Sequence, residues 1–510
     1  MSAPADRQLS IHARKMVGKL INVIKRSENR SLVNFRRLRL NDFDALLISH
    51  PSGKFLFDVA SSESYRLESS DADVVEKFAD SDQNAAILET SPFVSDLIER
   101  GKLFSSDANR KNHRTSERLR LQDVVVQIAY ACNLKCTYCY ADEGLYGGGE
   151  SLMMTREMAE HVINFSFEHR GSSSLGFAIL GGEPLMNRDC LTHFIEYAAK
   201  KGEDEGVEVE FSITTNGIGL NQEMIDFFER YRVGVRLSMD GTKDIHDTYR
   251  LDRKGGGTFD VVNDKYGKIL KESRVDFQVR ASFFGEHGDR LVDQARTMVE
   301  SLGYDSIKMD FIWGVDGTIG EVTDENLQLT LNGIDHLSQW FSGRVLDENY
   351  DWRNFNPYSK YMGRLVQKPV ATNLYSEDAK GELVAGGSIL ENSGVECGAG
   401  VNVISISATG DIFTCHRTEG NDAFKMGNVT TGIDEAFLKY WGNKWRLADD
   451  EADCSKCWAR FVCLGGCPAF GVYKHGDPMK NDRIRCQLRR QFIASSIVLT
   501  HELKERGLVS

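Results

Sequence analysis

Between positions 124 and 311 short apolar runs recur, and each is followed by a stretch whose apolar residues fall three or four apart. The runs at 124–128, 175–180, 207–214, 233–238, 275–283 and 306–311 read as strands. The stretches at 155–169, 191–201, 222–230, 259–272 and 289–302 read as amphipathic helices. Six strands with helices between them in series predict an α/β fold: a parallel sheet curled into a partial (β/α)6 TIM-like barrel. Chemistry in such sheets gathers at the carboxyl ends of the strands.

The flanks follow other patterns. Across 9–30, Ile11, Val17, Leu20, Ile21 and Ile24 alternate helically with Arg14, Lys15, Lys19, Lys25 and Arg26, a basic amphipathic helix expected to dock on its own protein. Two extended runs meet at Pro51-Ser52-Gly53, followed by short helical segments ending at 93–101. The organisation expected is a basic helix (1–34), a small α+β module (35–104), a polar linker (105–120), the barrel (121–324), a connector (325–392) and a cysteine-rich domain (393–510).

Composition narrows the function. The 510 residues are 41% hydrophobic and 27% charged, and no apolar run approaches a membrane span, so membrane association is not expected. With 62 Lys/Arg against 75 Asp/Glu the net charge is −13, which disfavours a nucleic-acid partner, although the first 40 residues carry ten basic side chains against two acidic ones. The N-terminus lacks the apolar core of a signal peptide, and a reducing cytoplasmic location is expected. The 11 cysteines are odd in number and clustered, as ligands are. Only Cys190 stands alone, entering a predicted helix, and reads as a buried free thiol.

Just after the first predicted barrel strand, Cys132, Cys136 and Cys139 form a C-x3-C-x2-C loop. Three thiolates can hold three irons of a four-iron cluster and leave the fourth open, whereas a structural zinc site closes with a fourth Cys or His, and the loop offers neither. With Tyr138 before the last cysteine, the loop resembles the C-x3-C-x-aromatic-C signature of radical S-adenosylmethionine (SAM) enzymes. That resemblance implies roles for other positions. Gly181-Gly182-Glu183-Pro184 would receive the methionine amino group, Thr215-Asn216-Gly217 and Ser238-Met239-Asp240-Gly241 would line the ribose and reaction centre, and Arg280 would lie near the SAM carboxylate. The open iron would chelate SAM, and reductive cleavage would supply a radical able to take hydrogen from an unactivated carbon.

Seven distal cysteines, Cys397, Cys415, Cys454, Cys457, Cys463, Cys467 and Cys486, are spaced as in the SPASM domain, which they resemble together with Gly410. The resemblance implies three [4Fe-4S] clusters in all. Cys454, Cys457, Cys463 and Cys486 would close the second auxiliary cluster, and Cys397, Cys415 and Cys467 would hold the first. Stretch 390–396 contains no cysteine, so the first auxiliary cluster would have an open iron or take an oxygen ligand such as Glu391 or Glu396. An open iron could bind a substrate thiolate.

Where SPASM sulfatase maturases carry an Asp base, this chain has His416, either a proton shuttle near neutral pH or a hydrogen-bonded group tuning the cluster. The surrounding segments resemble maturases that crosslink ribosomally made peptides, and module 35–104 resembles their winged-helix peptide-recognition modules. The expected function is therefore maturation of a peptide or protein, by a Cys thioether crosslink, with His416, Asp240 and Arg280 as catalytic candidates. A leader peptide and a flavodoxin- or ferredoxin-type electron donor are the expected partners. The alternatives are carbon-carbon crosslinking of aromatic side chains, formylglycine formation in a sulfatase, or a non-enzymatic iron-sulfur carrier or zinc-structured scaffold.

Overall fold

The computed structural model describes residues 33–509 except 42, 82–83, 107–118, 147–150, 313–316, 349, 367–374, 378–382, 386–396, 445–453, 455 and 479. The predicted basic helix at 9–30, most of the polar linker and the 390–396 stretch lie outside the described residues.

The described chain opens with a four-stranded antiparallel sheet, β1 (Asn34–Leu40), β2 (Phe43–His50), β3 (Gly53–Asp58) and β4 (Ser64–Leu67), in that order. The predicted hairpin is β2–β3, closed where His50 faces Gly53. The two flanking strands are additions to the predicted pattern. In β1 the run Asn34-Phe35-Arg36-Arg37-Leu38-Arg39-Leu40 buries only Leu38, so it carries little apolar signal. Period-two alternation lets this sheet bury both faces. Leu47 and Leu56 pack under the helices Ser69–Asp80 and Pro92–Glu99, while Leu46, Ile48, Phe55 and Phe57 join the core around the long C-terminal helix Arg483–Glu505.

Beyond it come β5 (Asp123–Gln127), a short antiparallel pair β6 (Ala129–Tyr130) and β7 (Leu152–Met153), then β8 (Ser174–Leu180), β9 (Glu208–Thr215), β10 (Gly234–Ser238), β11 (Phe277–Phe283) and β12 (Ile307–Phe311). All six predicted barrel strands form, pairing in parallel in the order β5, β8, β9, β10, β11, β12. The helices between them start at side-chain caps where the sequence supplies one: Thr155 and Asn221 accept from the Met158 and Met224 amides. Predicted helices 259–272 and 289–302 form with a π turn in each, at Val262–Gly267 and Thr297–Ser301.

The connector adds an edge strand, β13 (Phe355–Asn356), beside β12, and a hairpin of β14 (Tyr375–Glu377) and β15 (Leu383–Ala385). The cysteine-rich region then returns to the barrel. Strand β16 (Val403–Ile406) pairs in parallel with β5, Ile404 beside Val124, and β17 (Asp411–Phe413), β18 (Lys425–Asn428) and β19 (Gly432–Ile433) continue one eleven-stranded sheet. Without β16 the buried strand β5 would present an open edge. The structure therefore carries one sheet across position 393, where the sequence pattern places a domain boundary.

One further property positions the site. On β11 Val279, Ala281 and Phe283 are buried against the outer helices, while the alternating Gln278, Arg280 and Ser282 are half-buried and face the lumen. With Lys308 and Asp310 on β12 they make this side of the lumen polar.

Candidate functional site

The loop bearing Cys132, Cys136 and Cys139 leaves the carboxyl end of β5 and is tied down by hydrogen bonds to two neighbours. From one side the Lys135 and Thr137 amides donate to the Leu251 and Tyr249 carbonyls at 2.8 and 3.0 Å, and Arg253 donates to the Cys132 carbonyl at 2.6 and 3.0 Å. From the other, the Gly182 and Glu183 amides donate to the Ala129 and Ala131 carbonyls, both at 2.8 Å. This contact requires glycine. A Cβ at Gly182 would stand 2.2 Å from the Ala131 oxygen, and Gly181 has a φ of 145° with the Ala129 oxygen 2.5 Å from any Cβ.

Glu183 is buried and clamps three segments. Its Oε1 accepts from the Leu185 amide at 3.0 Å and the Thr215 hydroxyl at 2.7 Å, and its Oε2 accepts from the Asn216 amide at 2.7 Å. Burial pushes its carboxyl up to about 7, although these donors oppose the rise. The Asn216 side chain in turn donates to Asn133 at 2.7 Å, and its Nδ2 lies 3.9 Å from the Cys132 sulfur. Gly181, Gly182, Glu183, Thr215 and Asn216 are thus brought together against the cysteine loop.

Asp240, fully buried, sits on the opposite flank. Its Oδ2 accepts from the Tyr138 hydroxyl at 2.5 Å and from Arg250 Nε at 2.7 Å, and its Oδ1 accepts from the Ser282 amide at 2.7 Å. These three bonds make Asp240 a holder of Tyr138 and Arg250 beside the cysteine loop. Arg250 is absent from the candidates that the sequence supplies. Its guanidinium stacks 5.5 Å over the Tyr138 ring and stabilises the Cys136 thiolate, partly offsetting the burial that pushes that thiol up to about 11. The sequence marks it only faintly, as a single Arg directly after the helix Lys243–Tyr249 and outside every motif.

Behind Asp240, His246 accepts from the Asp240 amide at Nδ1 (3.2 Å) and faces the Thr258 hydroxyl at Nε2 (3.0 Å), which itself donates to the Arg250 carbonyl. The proton therefore sits on Nε2, and burial, with Arg250 nearby, pushes the imidazole down to about 4.

Ser238 ends β10 and lies beside Arg280 on β11, which lies beside Lys308 on β12. The distal cysteines form two sets. Cys454, Cys457, Cys463 and Cys486 lie within electrostatic reach of one another, and so do Cys415 and Cys467. Cys397 is half-buried at the edge of the described residues. Among the described residues no three His, Cys, Asp or Glu side chains converge on a single-ion position; cluster ligands need not, because each takes its own iron.

The sulfurs meet hydrogen-bond donors, which tune iron-bound thiolates. The Leu134 and Arg417 amides point at Cys132 and Cys415 at 3.4 Å each, Asn481 Nδ2 at Cys454 at 3.1 Å and Arg489 Nη1 at Cys463 at 3.6 Å. Burial pushes the Cys132 and Cys454 thiols up to about 12 and those of Cys415 and Cys486 to about 11, so metal binding there releases protons. These donor sets fit clusters.

His416 lies with Nδ1 3.6 Å from the Cys415 sulfur and its ring 6.1 Å from that of Tyr140, which follows Cys139. Burial, then Arg417, Arg280, Lys308 and Arg236, hold its pKa well below the usual histidine value. Of the two roles expected for it, this setting favours the hydrogen-bonded group tuning the cluster. A second link between barrel and cysteine region has no mark in the sequence. Glu419 accepts from the Tyr130 hydroxyl and, at 2.9 Å, from Ser405. Cys190 is buried, as expected for a free thiol.

Residues 126–273 match the Radical SAM superfamily, and the chain carries a radical SAM domain. Among curated proteins it is similar to a cysteine-type anaerobic sulfatase-maturating enzyme of Clostridium novyi (strain NT), 34% identical over 154 residues, 29% of this chain and 40% of that protein. A serine-type anaerobic sulfatase-maturating enzyme of Klebsiella aerogenes is 22% identical over 357 residues, covering 67% of this chain and 78% of that one. In the first of these matches the chain spans less than half the relative's length. Among solved structures, native anSMEcpe with bound AdoMet shares the fold at a TM-score of 0.60 and 18% identity, over 75% of this chain and 99% of that one. SuiB of Streptococcus suis bound to precursor peptide SuiA gives 0.50 at 16% identity, over 85% and 96%. No helix among the described residues is long and apolar enough to cross a membrane.

Proposed function

We propose that this chain is a radical SAM maturase that crosslinks a peptide or protein, forming a Cys thioether. The observation that carries the reading is the three-cysteine loop at the carboxyl end of β5, held by Gly182 and Glu183. A four-iron cluster on Cys132, Cys136 and Cys139 with SAM bound supplies, once reduced, a radical that takes hydrogen from carbon. The chain's own residues do the rest. Glu183, Thr215 and Asn216 orient the cofactor face, Asp240 and Arg250 fix Tyr138, and the lumen of β8–β12 admits the substrate.

Thioether formation removes one hydrogen from a substrate carbon, one proton from the thiol and one electron, which passes to an acceptor. Cys397, Cys415 and Cys467 would hold one auxiliary cluster and Cys454, Cys457, Cys463 and Cys486 a second, and such clusters would supply thiolate-binding and electron-accepting chemistry. His416, beside the Cys415 sulfur, takes the tuning role for that cluster rather than that of a base. The donor class is a flavodoxin or ferredoxin, and module 35–104 is suited to a leader peptide.

A second reading, formylglycine formation in a sulfatase, is favoured by the likeness to sulfatase-maturating enzymes. His416 in place of an acidic residue argues against it. Anaerobic reconstitution followed by mass spectrometry with peptides encoded beside the gene tests both. The proposal expects 5′-deoxyadenosine release and a product lighter by a hydrogen pair with no free thiol, lost when the peptide Cys is changed to Ala. An aldehyde product supports the second reading, and zinc without iron sinks both.

A further inference from the structure

The lumen carries more positive charge than the cofactor reading uses. Arg280 and Lys308 are register partners on adjacent parallel strands, so their side chains leave the sheet on the same face, side by side. Like charges opposite one another on a sheet are destabilising unless an anion lies between them. Asp310, two residues beyond Lys308, is the carboxylate that faces them, with its Oδ2 3.9 Å from Arg280 Nη2, longer than a hydrogen bond. The Arg280 and Asp310 side chains are 31% and 34% exposed, which leaves the pair open to the lumen rather than sealed.

Among the described residues the Lys308 ammonium has no hydrogen-bond or ion-pair partner. Burial, opposed by Asp310 and reinforced by Arg280, Arg236 and Lys360, pushes it down to about 8. Burial would raise Asp310, but Lys308, Arg280, Lys360 and Arg417 outweigh it and hold that carboxyl low. Lys308 and Arg280 thus share one carboxylate, two cations side by side against a single anion, an imbalance that an incoming anion would relieve. Lys308 stands on β12, three strands from β9, where Thr215 and Asn216 hold the cofactor face.

We propose that Lys308 and Arg280 form a carboxylate pocket that takes an Asp or Glu side chain of the substrate peptide. The inference rests on the peptide-maturase reading and adds to it a requirement on sequence around the modified residue.

The test is affinity selection with the reconstituted full-length protein and two C-terminally amidated libraries of randomised peptides, one containing Asp and Glu, the other Asn and Gln in their place. Retained peptides are read by mass spectrometry, with and without saturating SAM. Enrichment of acidic over amide peptides by about tenfold is expected, the size of one charge-assisted hydrogen bond. It should persist with SAM bound, disappear in Lys308→Met and return in Lys308→Arg. Equal retention of the two libraries would overturn the pocket while leaving the maturase reading standing. Retention of neither would overturn both, and a preference abolished by SAM would assign the pocket to the cofactor's own carboxylate and overturn the proposal.

Discussion

The loop at Cys132 and the set at Cys454 both gather half-buried cysteines beside arginine, yet they are built differently. The first places three thiols on eight consecutive residues and pins them through backbone bonds to Gly182, Glu183, Tyr249 and Leu251. The second collects four thiols from 33 residues and depends on tertiary packing, with Cys486 in the first turn of the C-terminal helix, whose cap Asp482 accepts from the Arg485 amide. Three ligands leave an iron free for a cofactor, whereas four close the cluster. Ligand count, more than fold, separates a reaction centre from an electron relay.

The sharpest break in that comparison is the change of Cys132, Cys136 and Cys139 together to Ala. SAM cleavage should vanish and bound iron should fall by about a third if three four-iron clusters are present, with the C-terminal set still assembled. Arg250→Met comes next. It strips the cation from fully buried Asp240 and should lower stability by about 3–5 kcal/mol in denaturant unfolding, with loss of SAM cleavage as Tyr138 moves. Gly182→Ala forces a methyl against the Ala131 oxygen, so calorimetry should show about 1–3 kcal/mol of destabilisation with weaker SAM binding.

The chain's legibility follows the same division. The barrel strands bury one face against the outer helices and are read from the apolar residues of that face, and the cysteine loop is contiguous, so its position is plain in the sequence. Strands β1 and β16 are harder to read because one is an Arg-rich edge and the other only four residues long. Arg250 and the Glu419–Tyr130 bond depend on contacts between distant segments, which no local pattern encodes. The anchoring of Asp240 is likewise a property of three donors drawn from separate elements.

A smaller effect is expected from pH. Folded His246 stays neutral down to about 4, whereas an unfolded histidine gains its proton near 6.5. The unfolded chain therefore binds more protons in that window, and stability falls as pH drops through it, by up to about 1.4 kcal/mol per pH unit. Thermal melting of His246→Gln should lose this part of the slope. At the far end, Arg156→Ala removes an exposed pair with Asp189, outside both cysteine groups, and should leave melting and SAM cleavage unchanged.

The central claim is an iron at the Cys132 loop that a cofactor can ligate. Electron-nuclear double resonance of the reduced protein, with SAM carrying 15N in its amino group and 17O in its carboxylate, reads that contact directly. Hyperfine coupling from both labels is predicted in the wild type and none after Cys136→Ala; wild-type protein with intact clusters and bound SAM but no coupling would contradict the account.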